Sequence, residues 1–160
     1  MRIFHKTLSE YFAFQRAIMV LILAVGFARL LLSLAGVSDS VVKWFSLTAL
    51  AGIGIVYCAI QVPRTGFGGY KHLLPLYVMQ VGTGNLIIAG GIALSAITGK
   101  ENIFSRYSGP MANNQWLHAA GHIADGFIIE PLIGWLIGAM IMFLVLKVSR
   151  PRAVGVGVAR

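Results

Sequence analysis

The sequence predicts an all-α integral membrane protein, an antiparallel bundle of four transmembrane helices with an amphipathic interfacial helix before the fourth span. Hydrophobic residues make up 58% of the 160 residues. The mean hydropathy of +0.81 is too high for a soluble domain of this size. Four apolar runs approach or exceed the length that crosses a bilayer as a helix. These runs cover about residues 17–36, 41–62, 74–98 and 128–148, all within one transmembrane domain of residues 1–148.

The first span is preceded by a polar segment with a helix-start signal. Thr7 and Glu10 stand three residues apart and fit a capping box, so we expect a helix to begin near Leu8. Its apolar side chains fall on one face, which is typical of an interfacial helix, and a frayed basic terminus is the alternative. The apolar run that follows contains Arg29 and indicates an uncleaved span rather than a signal peptide.

Prolines and glycines mark the connections between the spans. Pro63 is expected to end the second span, and Pro75 suits the first turn of the third. The glycine-rich segment 63–72 lacks the spacing of a phosphate-binding loop, so a flexible turn that contacts lipid headgroups is predicted. The segment 99–112 is a polar loop. The tail 149–160 is basic and is expected to be disordered.

The distribution of basic residues predicts the orientation in the membrane. The chain carries 13 Lys and Arg and a formal net charge of +8. These residues flank the apolar runs, whereas a nucleic-acid-binding protein would cluster them on one folded face, so the expected partner is the lipid bilayer and not nucleic acid. Nine of them lie on the side of the two termini and three on the other side. The bias places both termini in the cytoplasm and the protein in the plasma (inner) membrane.

The densest group of polar side chains lies between Asn113 and Gly126, just before the fourth span. His118, His122 and Asp125 follow one another at i, i+4 and i+7 and therefore share one face of the predicted interfacial helix of residues 113–125. Two imidazoles and a carboxylate on one face can supply three ligands to zinc or iron. The sequence thus gives a candidate metal site at the outer membrane face.

Two other interpretations compete with the metal site. No Glu follows the first histidine as it does in metalloprotease helices, and His118 and His122 can simply be the wet face of an interfacial helix that Trp116 anchors. A bis-histidine haem would need imidazoles from two facing helices. His72 is the remaining candidate, and the predicted topology places it on the opposite side of the membrane, so haem is not expected.

Four further polar side chains fall within the predicted spans. Arg29 and Glu130 enter the membrane at the same outer end, so an ion pair between spans one and four is expected. Gln80 and Asn85 lie in the third span and could line a path or bond to neighbouring helices. Because they are five residues apart, we expect them to face different directions rather than form one polar stripe.

Gly134 and Gly138 form a GxxxG pattern in the fourth span and predict a close approach of another helix.

The sequence leaves three candidate functions open. The leading hypothesis is a non-enzymatic membrane component, either a homo-oligomer or an accessory subunit of a larger membrane complex. The second is a metal-dependent membrane enzyme with the His/His/Asp site. The third is a permease or channel subunit, which rests on Arg29, Gln80 and Asn85.

Overall fold

The computed structural model describes residues 2–106 and 113–149. The chain order is β1 (Arg2–Ile3), β2 (Lys6–Thr7), α1 (Leu8–Leu34), α2 (Asp39–Val42), α3 (Leu47–Arg64), α4 (Tyr70–Thr98), α5 (Gln115–Ala124), a π-helical segment (Asp125–Ile129) and α6 (Glu130–Ser149). Part of the predicted polar loop and the tail beyond Ser149 lie outside the described residues. The predicted tail included Ser149, which is the last residue of α6.

Helix α1 begins where the capping signal predicted. Thr7 accepts a hydrogen bond from the backbone N–H of Glu10, whose side chain bonds back to Thr7, so the predicted capping box is confirmed. Upstream of this cap, the polar segment forms a small antiparallel hairpin in which Phe4 and His5 take the left-handed conformation. The carbonyl of Phe4 lies 3.2 Å from the His72 ring, which ties the hairpin to the start of α4.

Four helical segments are long and apolar enough to cross a membrane, judged by length and composition. They are Leu8–Leu34, Asp39–Arg64, Tyr70–Thr98 and Gln115–Ser149. Two proline predictions are wrong in detail: α3 runs one residue past Pro63, and α4 begins five residues before Pro75. Pro63 lies in the last turn of α3 and Pro75 in the second turn of α4, so each proline removes one backbone hydrogen bond near a helix end.

The predicted interfacial helix of residues 113–125 does not end before the fourth span. Helix α5 continues through the π-helical segment directly into α6, so the predicted interfacial helix and the fourth span form one continuous helical segment. Gly126 is buried against Asn85, and a Cβ at Gly126 would clash with that side chain. The glycine therefore serves close packing on α4 rather than helix termination.

Helix α4 is the centre of the bundle and packs against α1, α3, α5 and α6. Two hydrophobic clusters surround it, one nearer its first half and one nearer its second. In the first cluster Tyr77 is fully buried and donates a hydrogen bond of 3.1 Å to the carbonyl of Ile55 in α3. Gly134 and Gly138 of α6 lie against Ile55 and Tyr77, so the GxxxG face meets helices of the same chain.

Candidate functional site

A chain of hydrogen bonds joins α5, α4 and α6 through Asn85. The Asn85 Oδ1 lies 2.9 Å from Nδ1 of His122, and its Nδ2 donates to Glu130 Oε2 at 2.8 Å. The same Nδ2 also donates to the backbone carbonyl of Val81 at 3.2 Å. One buried amide of α4 thus connects a histidine and a carboxylate that are eight residues apart on another helical segment.

These hydrogen bonds determine which nitrogen of the His122 ring is the donor and which is the acceptor. Because the two hydrogens of the Asn85 amide nitrogen go to the Val81 carbonyl and to Glu130, the amide oxygen must be the group that faces His122. The Nδ1 of His122 therefore carries a hydrogen and donates it to Asn85. In the neutral imidazole, Nε2 is then the acceptor nitrogen.

A cavity of about 360 Å³ adjoins these three polar side chains and lies between α3, α4 and α6. Its walls are mainly aliphatic, and Asn85, His122 and Glu130 contribute polar atoms at one end. The lining is made by Ile22, Leu47, Thr48, Ala51, Gly52, Ile55, Gln80, Val81, Gly84, Asn85, Ile88, His122, Glu130, Ile133, Gly134 and Ile137. An apolar pocket of this size with a few convergent polar groups is the usual form of a small-molecule site.

The predicted metal-site residues are only partly brought together. The rings of His118 and His122 are 5.0 Å apart between centroids, and His118 is buried whereas Asp125 is exposed. Within residues 2–106 and 113–149, the structure places no group of three His, Cys, Asp or Glu side chains where they could hold a metal ion. Asn114 caps α5 through the N–H of Leu117. The metal site stays a prediction from the sequence.

The predicted Arg29–Glu130 ion pair is not formed. Arg29 instead donates to the backbone carbonyl of Phe45 at 3.4 Å and lies over the ring of Phe104, 5.3 Å from its centroid. Glu130 bonds to Asn85 and has no ion-pair partner among the described residues. The turn after the short helix α2 brings the Phe45 carbonyl to Arg29, which span lengths alone could not indicate.

Gln80 and Asn85 both line the cavity, but they bond to different helices, Gln80 to α1 and α3 and Asn85 to α5 and α6. The two side chains therefore face different directions, as their spacing of five residues predicted. Gln80 also belongs to a second polar cluster. Its Nε2 donates to Gln15 Oε1 at 2.6 Å and to Cys58 Sγ at 3.2 Å, and Gln15 and Gln80 are each about 1% exposed.

Sequence reasoning missed the bridging role of Asn85 and the part of Gln15 and Tyr77 in holding helices together. The signal for Gln15 was available, because a glutamine among apolar residues near a predicted span needs a partner on another helix. Its backbone is also non-helical, with φ −115° and ψ 17°, which marks the level where α1 bends.

No protein-family model, no curated protein and no solved structure matches this chain. The class that the fold and the site define therefore rests on geometry alone. It is a small helical bundle with four segments long and apolar enough to cross a membrane, and with a polar-ended cavity between three of them.

Proposed function

We propose that the chain is an integral membrane protein that binds a small molecule in the cavity between α3, α4 and α6. The four long apolar segments support the membrane assignment. So do the outward-facing side chains of α6, where Leu136, Met140 and Phe143 are each more than half exposed. Such a continuous apolar surface is unfavourable in water and ordinary in a lipid bilayer.

In this proposal the bundle lies in the plasma (inner) membrane with both termini in the cytoplasm and α5 at the outer face. The support is the excess of Lys and Arg on the terminal side. A reporter active only in the cytoplasm should work when fused to either terminus and fail when inserted after Lys100. A reporter that is active at one terminus alone would contradict the topology.

The main support for a ligand-binding function is the position of the cavity. Between membrane-spanning helices, polar and ionisable side chains are costly and are retained mainly where they bind ligands or line a path. His122, Asn85 and Glu130 meet there beside aliphatic walls, and Thr48 and Gly52 of α3 line the cavity and are exposed. This arrangement favours a binding protein or permease over an enzyme.

A homo-oligomer or accessory subunit of a larger complex is the second candidate, favoured by a separate observation. Helix α3 carries an external groove lined by Gly52, Ile53, Val56 and Tyr57, and nothing lies within 4 Å of a Cβ built on Gly52. A helix of another chain could approach closely there. The mass of the protein in mild detergent separates the two ideas, and a stable multimer lost in Gly52→Leu would support the second.

Ligand binding is tested by filling the cavity. Ala51 lines it, whereas Ala49 lies on the same helix, is exposed and is not part of the lining. Equilibrium dialysis of radiolabelled benzyltrimethylammonium and of its neutral isostere neopentylbenzene against nanodiscs, with empty nanodiscs subtracted, measures binding. At least one probe should bind, and Ala51→Phe should weaken it at least tenfold while Ala49→Phe leaves it unchanged. Equal binding by both variants, or no saturable binding at all, would contradict the proposal.

A further inference from the structure

The Glu130 carboxylate lacks a cationic partner in the described part of the chain. Its Oε2 accepts from the neutral amide of Asn85, and no Lys, Arg or His of residues 2–106 and 113–149 forms an ion pair with it. It stands at the start of α6, lines the cavity and is exposed. A carboxylate left without a cation in a surrounding of low dielectric is unfavourable unless a proton or a bound cation neutralises it.

The other ionisable groups around Glu130 do not supply that cation. His122 on α5 forms no ion pair with Glu130, and its Nδ1 hydrogen is donated to the Asn85 oxygen. The ring centroid of His118 lies 5.0 Å from that of His122, and Asp125 on the π-helical segment adds a further negative charge. The lining residues of α3 and α4 include no charged side chain, and Arg29 of α1 is engaged at Phe45 and Phe104.

We propose that the cavity takes a lipophilic organic monocation, whose charge pairs with the Glu130 carboxylate. This inference rests on the proposed function and names the chemical class of its ligand. The cationic group lies against the Glu130 carboxylate, beside the Asn85 amide. The apolar body lies along the aliphatic walls formed by Ile55, Ile133 and Ile137.

The composition of the cavity favours an organic cation over a metal ion or a hydrated inorganic cation. Small inorganic cations need several oxygen ligands at close range, and here one carboxylate is surrounded by aliphatic side chains. An organic cation with a diffuse charge requires only one counter-ion, and burial of its apolar part contributes about 25 cal/mol per Å². A neutral molecule would fill the same space but leave the Glu130 charge without a partner.

The test uses the two probes already described, because benzyltrimethylammonium and neopentylbenzene differ only in a charged nitrogen in place of a carbon. The wild-type protein in nanodiscs should bind the cation at least tenfold more tightly than the neutral isostere at pH 7.5. Glu130→Gln keeps the shape and the acceptor for Asn85, and it should remove this preference. Glu10→Gln, in the capping box on α1, is the matched control and should keep it.

Each outcome is decisive. Equal affinity for both probes in the wild-type protein, or a preference that survives in Glu130→Gln, would overturn the cation inference and leave the binding function standing. Failure of both probes to bind would overturn the proposed function itself.

Discussion

The bundle contains two polar clusters that differ in chemistry and in access. The cluster of Gln15, Gln80 and Cys58 joins α1, α4 and α3, and Gln15 and Gln80 are almost completely buried and neutral. The cluster of His122, Asn85 and Glu130 joins α5, α4 and α6, contains two ionisable groups and opens onto the cavity. The glutamine cluster resembles the hydrogen bonding that holds helices together, whereas the cluster around Asn85 resembles a ligand-binding site.

The difference teaches how to separate packing from function in a helical bundle. The closed cluster of amides bonds three helices to one another and fixes their register, so its loss should lower stability, although Gln80 Oε1 has no hydrogen-bond partner among the described residues. An open cluster with a carboxylate retains an unsatisfied charge, which favours ligand binding over stability. The two clusters share α4, and their levels along it are only five residues apart, about 7.5 Å.

The largest expected effect concerns the contact that assembles the open cluster. In Gly126→Val, the new side chain meets Asn85 and forces the π-helical segment away from α4, because a Cβ at this position already clashes. We expect a loss of about 3 kcal/mol in the free energy of unfolding and loss of ligand binding. Thermal unfolding followed by circular dichroism in detergent measures the first effect.

Gly90→Val is the matched control for that variant. Gly90 is exposed on the same helix as Asn85, and nothing lies within 4 Å of a Cβ built there. Its unfolding temperature should stay within a few degrees of the wild-type value. Equal destabilisation by both variants would mean that the Gly126 contact has no special role.

The closed cluster should contribute to stability and not to ligand preference. Gln15→Leu leaves the Nε2 of Gln80 with only the Cys58 sulfur as an acceptor, which we expect to cost about 1–3 kcal/mol of unfolding free energy. The double variant with Gln80→Leu should recover part of this loss, since no buried amide then remains unpaired. Urea or thermal unfolding in detergent checks both. A Gln15→Leu protein that lost its preference for the cation at unchanged stability would remove the distinction between the clusters.

Removing the bridge in the open cluster should affect binding more than stability. Asn85→Ala separates Glu130 from His122, and both partners lie beside a cavity that can hold water, so we expect a loss of about 1 kcal/mol in unfolding free energy. The affinity for benzyltrimethylammonium should fall severalfold. A stability loss larger than that of Gln15→Leu would reverse the assignment of the two clusters.

The smallest expected effect concerns metal content. The structure leaves Asp125 exposed and assembles no three-ligand group in the described part of the chain, so protein purified without chelator should carry clearly less than one equivalent of zinc or iron. Elemental analysis of the wild-type protein and of His118→Ala/His122→Ala should give the same low value. One equivalent per chain, lost in the double variant, would restore the metal-enzyme hypothesis.

Composition and periodicity were sufficient to predict the helical class, the four long apolar segments and the start of α1. These properties depend on local sequence: apolar run length sets the spans, and a capping box needs only two side chains three residues apart. The identities of His122, Glu130, Gln80 and Asn85 as the notable polar residues also followed from the sequence, since polar side chains stand out in apolar runs.

The hydrogen-bond partners of these polar side chains could not be predicted, because they depend on the rotation and the depth of each helix in the bundle. Arg29 and Glu130 have matching depths along their spans, yet Arg29 is engaged by the turn that follows α2, and Asn85 reaches Glu130. The sequence also did not indicate that the helical segment continues through Gly126. A glycine looks the same in sequence whether it ends a helix or allows a close contact.

The location of the bound ligand is the most direct test of the account. A benzyltrimethylammonium derivative with a diazirine on its ring, activated by light in nanodiscs and mapped by peptide mass spectrometry, should label α3 between Leu47 and Ile55 and α6 between Ile133 and Ile137. Excess unlabelled cation and the Ala51→Phe variant should each suppress that labelling. Label spread over the outward face of α6 around Met140 and Phe143, unaffected by either, would show that the cation only dissolves in the lipid and would contradict the account.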